Sequence, residues 1–188
     1  MSLLSYIALR REIQNKVVRP VPDANVNASS IDVRLGAKLL AETRDPKLPD
    51  DELTVLELGQ REPLFTEEFD ITAEPFLLYP GCFVLAHTLE EFDLPLHLSA
   101  EFRLKSSVAR MGLGHALAVW CDPGWTGSTL TLELHNLTRE HVISLRAGDK
   151  VGQVVFHRHD PVPRERSYAI RGHYNGDKTA TATKPETR

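Results

Sequence analysis

From Leu53 onward, the chain alternates short apolar runs with residues that favour turns, such as Pro80-Gly81 and Ala147-Gly148-Asp149. Few helical patterns lie between these runs. Many short strands at this spacing are typical of an all-β sandwich or barrel. The strands predicted in this part of the chain are residues 76–79, 83–87, 99–104, 142–145 and 151–157.

The N-terminal part predicts one helix, one strand and one loop. Residues 5–18 predict a helix, because apolar residues recur every three or four positions and prolines follow. Residues 29–40 predict a strand with alternating apolar positions, and residues 42–52 are charged and contain two prolines, which indicates a surface loop. We therefore predict a mainly β domain with a few short helices over residues 1–160. The tail, residues 161–188, has too little apolar content to pack alone, so it is either disordered or ordered against a ligand or a neighbouring subunit.

Composition and charge exclude several classes of function. The formal net charge of -4 argues against a protein that binds nucleic acid through bulk positive charge. The two cysteines have no C-x-x-C spacing, which predicts a reduced, cytoplasmic protein. No apolar run approaches the ~20 residues of a membrane-spanning helix, and the first residues lack the pattern of a signal peptide. We expect neither nucleic acid nor a membrane as a partner.

Cations and hydroxyl groups cluster in residues 103–110, whose sequence is R-L-K-S-S-V-A-R. Serine is a favoured N-cap, and the free N–H groups at a helix start attract phosphate. Lys105 precedes the predicted helix start and Arg110 lies one turn inside it, so that together with Arg103 they suit an oligophosphate. The alternative is a capped surface helix with solvated cations.

An acidic residue, Asp122, ends an apolar strand directly before the turn-forming pair Pro123-Gly124. Its carboxylate either caps the turn through a bond to the backbone or acts as a general base or an acceptor for a sugar hydroxyl. The nearby Trp125 belongs either to the core or to a stacking contact with a base.

Residues 128–137 predict a strand with an apolar face and a polar face. Leu130, Leu132 and Leu134 share the first face, and Glu133 lies on the second, between threonine and histidine. A carboxylate in a partly desolvated site has a raised pKa, which suits proton transfer. The alternative is an exposed glutamate that is paired with a cation on a neighbouring strand.

Motifs of several other nucleotide enzymes are absent from the sequence. These are the H-x-E and P-C-x-x-C pair of zinc deaminases, the Walker-type phosphate loop, G-x-G-x-x-G and H-E-x-x-H. The eight histidines have no spacing typical of metal ligands. The sequence therefore predicts no zinc and no metal site made by protein ligands.

Residues 105–113, 122–127 and 130–136 together closely resemble the dCTP deaminase family, a branch of the trimeric dUTPase superfamily that deaminates without zinc. Their sequences are K-S-S-V-A-R-M-G-L, D-P-G-W-T-G and L-T-L-E-L-H-N. The resemblance extends over most of the chain, through residues 29–36, 80–90, 145–153, 167–168 and 173–176. It implies a distorted β-barrel or jelly roll of the dUTPase-like type, assembled as a homotrimer whose three active sites are shared between subunits. The tail is then expected to cover the nucleotide.

The resemblance also implies roles for individual residues. Glu133 matches the proton shuttle, Ser106 matches the serine that holds the attacking water, and Ala118 matches the residue whose carbonyl touches that water. Arg110 matches an arginine at the phosphates and at the wall of the site. The ligand is expected to be dCTP or dUTP with Mg²⁺, which phosphates and waters would hold. The other residues expected near this substrate are Lys105, Ser107, Trp120, Asp122, Tyr168, Tyr174 and Lys178.

The chain departs from the family pattern around Asp122. The segment between Arg110 and Asp122 is one residue shorter than in the deaminases, and the segment from Gly127 to Glu133 is one residue longer. Deaminases that only make dUTP carry His-Arg-Ile where this chain has Val119-Trp120-Cys121. An aromatic residue there is more similar to the bifunctional enzymes, which also cleave dUTP to dUMP and diphosphate and in which the residue matching Asp122 is the candidate base.

The predicted tail contact differs from the family as well. Asp177 stands where the family has a glutamine, which moves the expected phosphate contact to Lys178. The functions considered are deamination of dCTP, ending at dUTP or continuing to dUMP, a dUTPase-like diphosphatase without deaminase activity, and a regulatory module that binds deoxynucleotides without turnover.

Overall fold

The computed structural model describes residues 2–118 and 120–184, and it confirms the predicted all-β class with a few short helices. No helix in these residues is long and apolar enough to cross a membrane. The helices are α1 (Tyr6–Gln14), α2 (Ser106–Ala109) and α3 (Tyr168–Arg171). The strands are β1 (Ser2–Leu3), β2 (Val18–Arg19), β3 (Ile31–Arg34), β4 (Lys38–Glu42), β5 (Thr66–Asp70), β6 (Phe76–Leu78), β7 (Phe83–Asp93), β8 (Leu98–Leu104), β9 (Leu113–His115), β10 (Trp120–Cys121), β11 (Thr126–Asn136), β12 (Ile143–Leu145) and β13 (Lys150–Arg158).

Two antiparallel sheets bury their apolar side chains in one common core. The first sheet has the order β1-β13-β8-β10, with β3 also paired to β13, and the second has the order β5-β4-β7-β11-β9, with β2 paired to β7. Strands β6 and β12 form a separate pair. The core takes Phe102 and Phe156 from the first sheet and Val84, Leu132 and Leu134 from the second. This architecture places the predicted glutamate strand, β11, inside the second sheet.

Two of the predicted N-terminal elements are shorter in the structure. Helix α1 ends before residue 18, because Lys16 has a positive φ of 62° that a helix does not continue. The strand predicted over residues 29–40 is divided, since β3 pairs in the first sheet and β4 in the second. At the crossing, a Cβ on Gly36 would lie 2.0 Å from a ring carbon of His87. The chain therefore needs glycine at position 36, where it passes from the first sheet to the second. The sequence predicted a single strand because apolar residues alternate on both sides of this position.

Strand β7 is longer than the predicted residues 83–87, because the charged residues that follow are paired. Glu90 is fully buried, and its carboxylate accepts the Arg34 Nε–H at 2.7 Å and the Arg34 backbone N–H at 2.8 Å. Glu91 forms an ion pair with Arg19 of β2. The charged residues that follow His87 are therefore part of the strand and do not indicate its end.

The buried pair of Arg34 and Glu90 predicts a large effect on stability. We expect Arg34→Met to lower the free energy of unfolding by about 3–5 kcal/mol, because it leaves the Glu90 carboxylate buried without its cation. Lys38→Met is the matched control, since it breaks the exposed ion pair with Glu68 and should cost about 0–1 kcal/mol. Urea unfolding at neutral pH measures both. Similar losses in the two variants would contradict the assigned role of the buried pair.

The tail folds back onto β11 of its own chain. The Asp177 carbonyl accepts the Thr129 N–H at 2.8 Å, the Gly176 N–H donates to Ser128 Oγ at 2.8 Å, and the Tyr174 carbonyl accepts the indole N–H of Trp125 at 3.0 Å. These bonds place residues 174–177 of the tail against the same chain, and the expectation that the tail orders against a ligand or a neighbouring subunit stays a prediction. Backbone hydrogen bonds replace the apolar burial that the tail lacks. Residues 185–188 lie outside the described part of the chain.

Candidate active site

A cavity of about 420 Å³ opens between β7, β10, β11 and the tail. Apolar side chains such as Leu64, Phe83 and Leu85 form much of its wall. The predicted site residues that line it are Ala118, Trp120, Asp122, Glu133, Tyr168 and Tyr174. Val119, the first residue of the V-W-C segment, lies outside the described residues. The fold thus brings together residues that are far apart in the sequence.

The Glu133 side chain on β11 reaches the cavity from a largely buried position, with 23% of its surface exposed. Burial raises the pKa of this carboxyl above its ordinary value. Its Oε2 atom lies 3.3 Å from the His115 Nε2 atom, but the two atoms are not aligned for a hydrogen bond, and neither has another partner among the described residues. A desolvated carboxyl with an uncommitted oxygen suits proton transfer.

His115 is a neighbour of Glu133 that the sequence analysis missed. Strand β9 carries it beside β11, and burial, followed by the charge of His135, lowers the pKa of His115 to about 4. Its Nδ1 accepts the Leu117 N–H at 3.0 Å, so the neutral ring carries its proton on Nε2, the atom nearest Glu133. No sequence motif marks this residue, because the strand that positions it is only three residues long.

The predicted alternation along β11 holds at Leu132 and Leu134, which are fully buried, but it fails at Leu130. Leu130 lines the cavity beside Thr129 and Thr131. The pairing with β7 is irregular at this point, so that residues 88–90 lie opposite Leu130 alone, and its N–H donates to Thr88 Oγ1 at 3.0 Å. The irregular ladder therefore adds the apolar side chain of Leu130 to the cavity wall between two threonines.

Asp122 does not cap its turn through the side chain. The Asp122 backbone carbonyl closes the turn by accepting the Trp125 N–H at 3.2 Å, while the Oδ1 atom of its exposed carboxylate accepts the Trp120 indole N–H at 3.0 Å. Trp125 itself is only 6% exposed and stacks on Phe92 in the core, with 5.5 Å between ring centroids. The capping alternative is therefore wrong for Asp122, and the core interpretation is confirmed for Trp125.

The remaining predicted site residues do not line this cavity. Lys105 occupies the N-cap of α2 in place of a serine and binds Asp32 Oδ1 at 2.7 Å. Lys178 binds Glu91 Oε2 at 2.6 Å. Ser106, Ser107 and Arg110 are exposed on or beside α2. The predicted cluster of cations and hydroxyls is therefore on the outer surface of the chain.

The tail closes over the cavity through an ion pair of its own. Asp177, which stands where the family has a glutamine, accepts the Lys184 ammonium at 2.7 and 2.9 Å. The same ammonium lies 4.9 Å from the centroid of the Tyr174 ring. Lys184, which sequence reasoning did not single out, thus offsets the negative charge of Asp177 at the mouth of the cavity.

Comparisons with known proteins identify the family of the chain. The dCTP deaminase-like family matches residues 3–159. A Nanoarchaeum equitans protein named dCTP deaminase, dUMP-forming, is 36% identical over 178 residues, which cover 89% of this chain and 88% of that protein. A Mycolicibacterium smegmatis protein of the same name is 39% identical over 194 residues, covering 97% and 95% of the two chains.

A solved structure supports the same fold. The 2'-deoxycytidine 5'-triphosphate deaminase from Agrobacterium tumefaciens superposes with a TM-score of 0.64 at 24% sequence identity. The match covers 84% of this chain and 48% of that one, so the chain spans about half the length of that structure. From the match over residues 3–159 and the identity to these relatives, the chain belongs to the dCTP deaminase-like family.

Proposed function

We propose that this chain deaminates dCTP to dUTP and ammonia and then hydrolyses dUTP to dUMP and diphosphate. The observation that carries this proposal is one cavity in which two carboxyl groups without a lysine or arginine partner among the described residues lie in different environments, while the third, Asp177, is paired with Lys184. Glu133 is desolvated and has a raised pKa, whereas Asp122 is exposed at the rim. The relatives named dUMP-forming support the second step.

Deamination requires a water to attack C4 of cytosine and ammonia to leave. In our proposal, Glu133 takes the proton of the attacking water and passes it to N3 or to the leaving nitrogen. Its raised pKa allows the carboxyl group to hold that proton between the two transfers. The Ala118 carbonyl would orient the water, since Ala118 lines the same cavity. Because Glu133 does the proton transfer, this step assigns no role to zinc.

The second step needs a water that attacks the α-phosphorus of dUTP. The bond from this phosphorus to the diphosphate oxygen breaks, and diphosphate leaves with its electron pair. We assign the proton of the water to the Asp122 carboxylate, which lies in the cavity without a cation bound to it among the described residues. The proton then passes to solvent, to which Asp122 is exposed.

The charge of the cavity supports a site shared between subunits. Among the described residues, its lining contains Asp122, Glu133 and Asp177 but no lysine or arginine, and the nearby Lys184 is bound to Asp177, although a triphosphate needs cations. Ser106 and Arg110 are exposed elsewhere on the chain. We propose that they complete the cavity of a neighbouring subunit in a homotrimer, with Ser106 on the attacking water and Arg110 at the phosphates.

We expect the protein to be cytoplasmic. We expect Mg²⁺ to bind to it together with the triphosphate of the substrate. No three His, Cys, Asp or Glu side chains in residues 2–118 and 120–184 are grouped to hold a metal ion. Phosphates and waters would be the direct ligands of the ion, and the exposed Asp122 carboxylate at the rim would contact it only through one of those waters. The ion would offset phosphate charge in the second step.

Product analysis tests the proposed function. Incubation with dCTP and Mg²⁺ should release ammonia, dUMP and diphosphate in equal amounts. Accumulation of dUTP would limit the activity to the first step. Cleavage of dUTP with dCTP untouched would select the second candidate, a diphosphatase that uses Asp122. Thermal stabilisation by nucleotide without any product would instead indicate a regulatory binding module.

A further inference from the structure

We propose that Trp120 is a positioning residue for Asp122, that His157 holds the Trp120 ring in place, and that this contact controls how much dUTP continues to dUMP. The inference rests on the proposed function, because it concerns its second step. His157 lies outside the residues that line the cavity, and neither the proton shuttle nor the phosphate contacts involve it.

The Trp120 ring connects the cavity to the face of the first sheet. On one side, its indole N–H donates to Asp122 Oδ1 at 3.0 Å. On the other, it stacks on the His157 ring, with 5.8 Å between centroids and 29° between planes. Strands β10 and β13 flank β8, where Glu101 is the pairing partner of both Trp120 and Val155. The rings of Trp120 and His157 therefore contact each other over β8, the strand that lies between β10 and β13.

Side chains of the neighbouring strand β8 surround the His157 ring. Its Nε2 atom is buried, lies 3.8 Å from Glu101 Oε2, and has no hydrogen-bond partner among the described residues. Glu101 is in turn fixed by Arg103, whose NH2 atom lies 2.6 Å from Oε1. Packing between β8 and β13 therefore orients the His157 ring, and this ring limits the positions that Trp120 can adopt.

The contact with Trp120 affects the orientation of the Asp122 carboxylate, because Asp122 is exposed and lies directly after the end of β10. An exposed carboxylate that has no donor samples several rotamers. The bond from Trp120 to Oδ1 fixes the plane of the carboxylate and leaves Oδ2 to accept the proton of the attacking water. Proton transfer requires this geometry within a few tenths of an ångström, so losing the donor should slow the second step about tenfold.

Separate measurement of the two steps tests the inference. Trp120→Phe keeps a stacking ring but removes the N–H, and we expect it to lower kcat for dUTP hydrolysis about tenfold more than kcat for dCTP deamination. His157→Ala should lower dUTP hydrolysis to a smaller extent, and His157→Phe should restore it because a flat ring is present again. In the Trp120→Phe background, His157→Ala should cause no further loss, since the ring no longer carries a donor.

The combined variants separate positioning from general stability. Equal losses in both steps, additive losses in the double variant, or no recovery with His157→Phe would each overturn the inference. Wild-type protein that makes dUTP but no dUMP would also overturn it. Wild-type protein that makes no uracil nucleotide would contradict the proposed function itself, whereas dUMP formation that is unchanged in the variants would remove only this inference.

Discussion

Glu133→Gln is expected to slow deamination of dCTP by roughly 10³-fold while nucleotide binding is retained, because general acid–base groups contribute about 10²–10⁴-fold. Glutamine keeps the size of the side chain but cannot take a proton from the attacking water. Ammonia release measures the rate, and calorimetric titration with dCTP measures binding. Glu67→Gln, on the exposed part of β5, is the matched control and should leave both unchanged.

The stability of Glu133→Gln distinguishes lost chemistry from lost structure. Burial raises the pKa of Glu133, so the folded protein binds this proton more tightly than the unfolded chain does. The contribution of Glu133 to stability is therefore most favourable at low pH, and it falls as the pH rises from the ordinary glutamate value through the raised one. Since glutamine has no charge to bury, the free energy of unfolding of the variant at neutral pH should equal or exceed that of the wild type. Inactivity accompanied by unfolding would contradict the assigned proton role.

Periodic patterns identified Glu133 and its strand, because the face of a strand is a local property of the sequence. The same pattern placed Leu130 on the buried face, but a mismatch with β7 turns this residue into the cavity wall. His115 was missed for a similar reason, since its position depends on pairing between β9 and β11. Pairing between distant segments cannot be deduced from local alternation.

The position of charged residues relative to the cavity could not be predicted from the local sequence either. The cluster of Lys105, Ser106 and Arg110 was predicted from neighbours in the sequence, and family resemblance placed it near phosphates. The structure exposes Ser106 and Arg110 and pairs Lys105 with Asp32. Sequence spacing describes which side chains lie together, but it does not say which subunit's cavity they serve. An experiment on mixed subunits can answer that question.

Trimers that contain both Glu133→Gln and Arg110→Ala subunits are expected to recover deaminase activity, although each variant alone is inactive. In the proposed ring of three, every cavity would take Glu133 from one subunit and Arg110 from the next. A mixed trimer then has one cavity with both native residues, so its activity should be about one third of the wild-type value for a head-to-tail ring. Co-expression with two different tags and sequential affinity purification isolates the mixed trimers.

The amount of deaminase activity that mixed trimers recover shows whether Arg110 serves its own cavity or that of a neighbour. If Arg110 served the cavity of its own chain, every cavity in a mixed trimer would lack one of the two residues, and activity would stay at the level of the separate variants. A chain that carries both substitutions is the control, because pairing it with either single variant removes Glu133 or Arg110 from every cavity. Recovery with this control would indicate contaminating enzyme. Recovery only in the first mixture would place Arg110 across the subunit boundary, where its charge would compensate the carboxyl groups of Asp122 and Glu133, which have no lysine or arginine partner among the described residues.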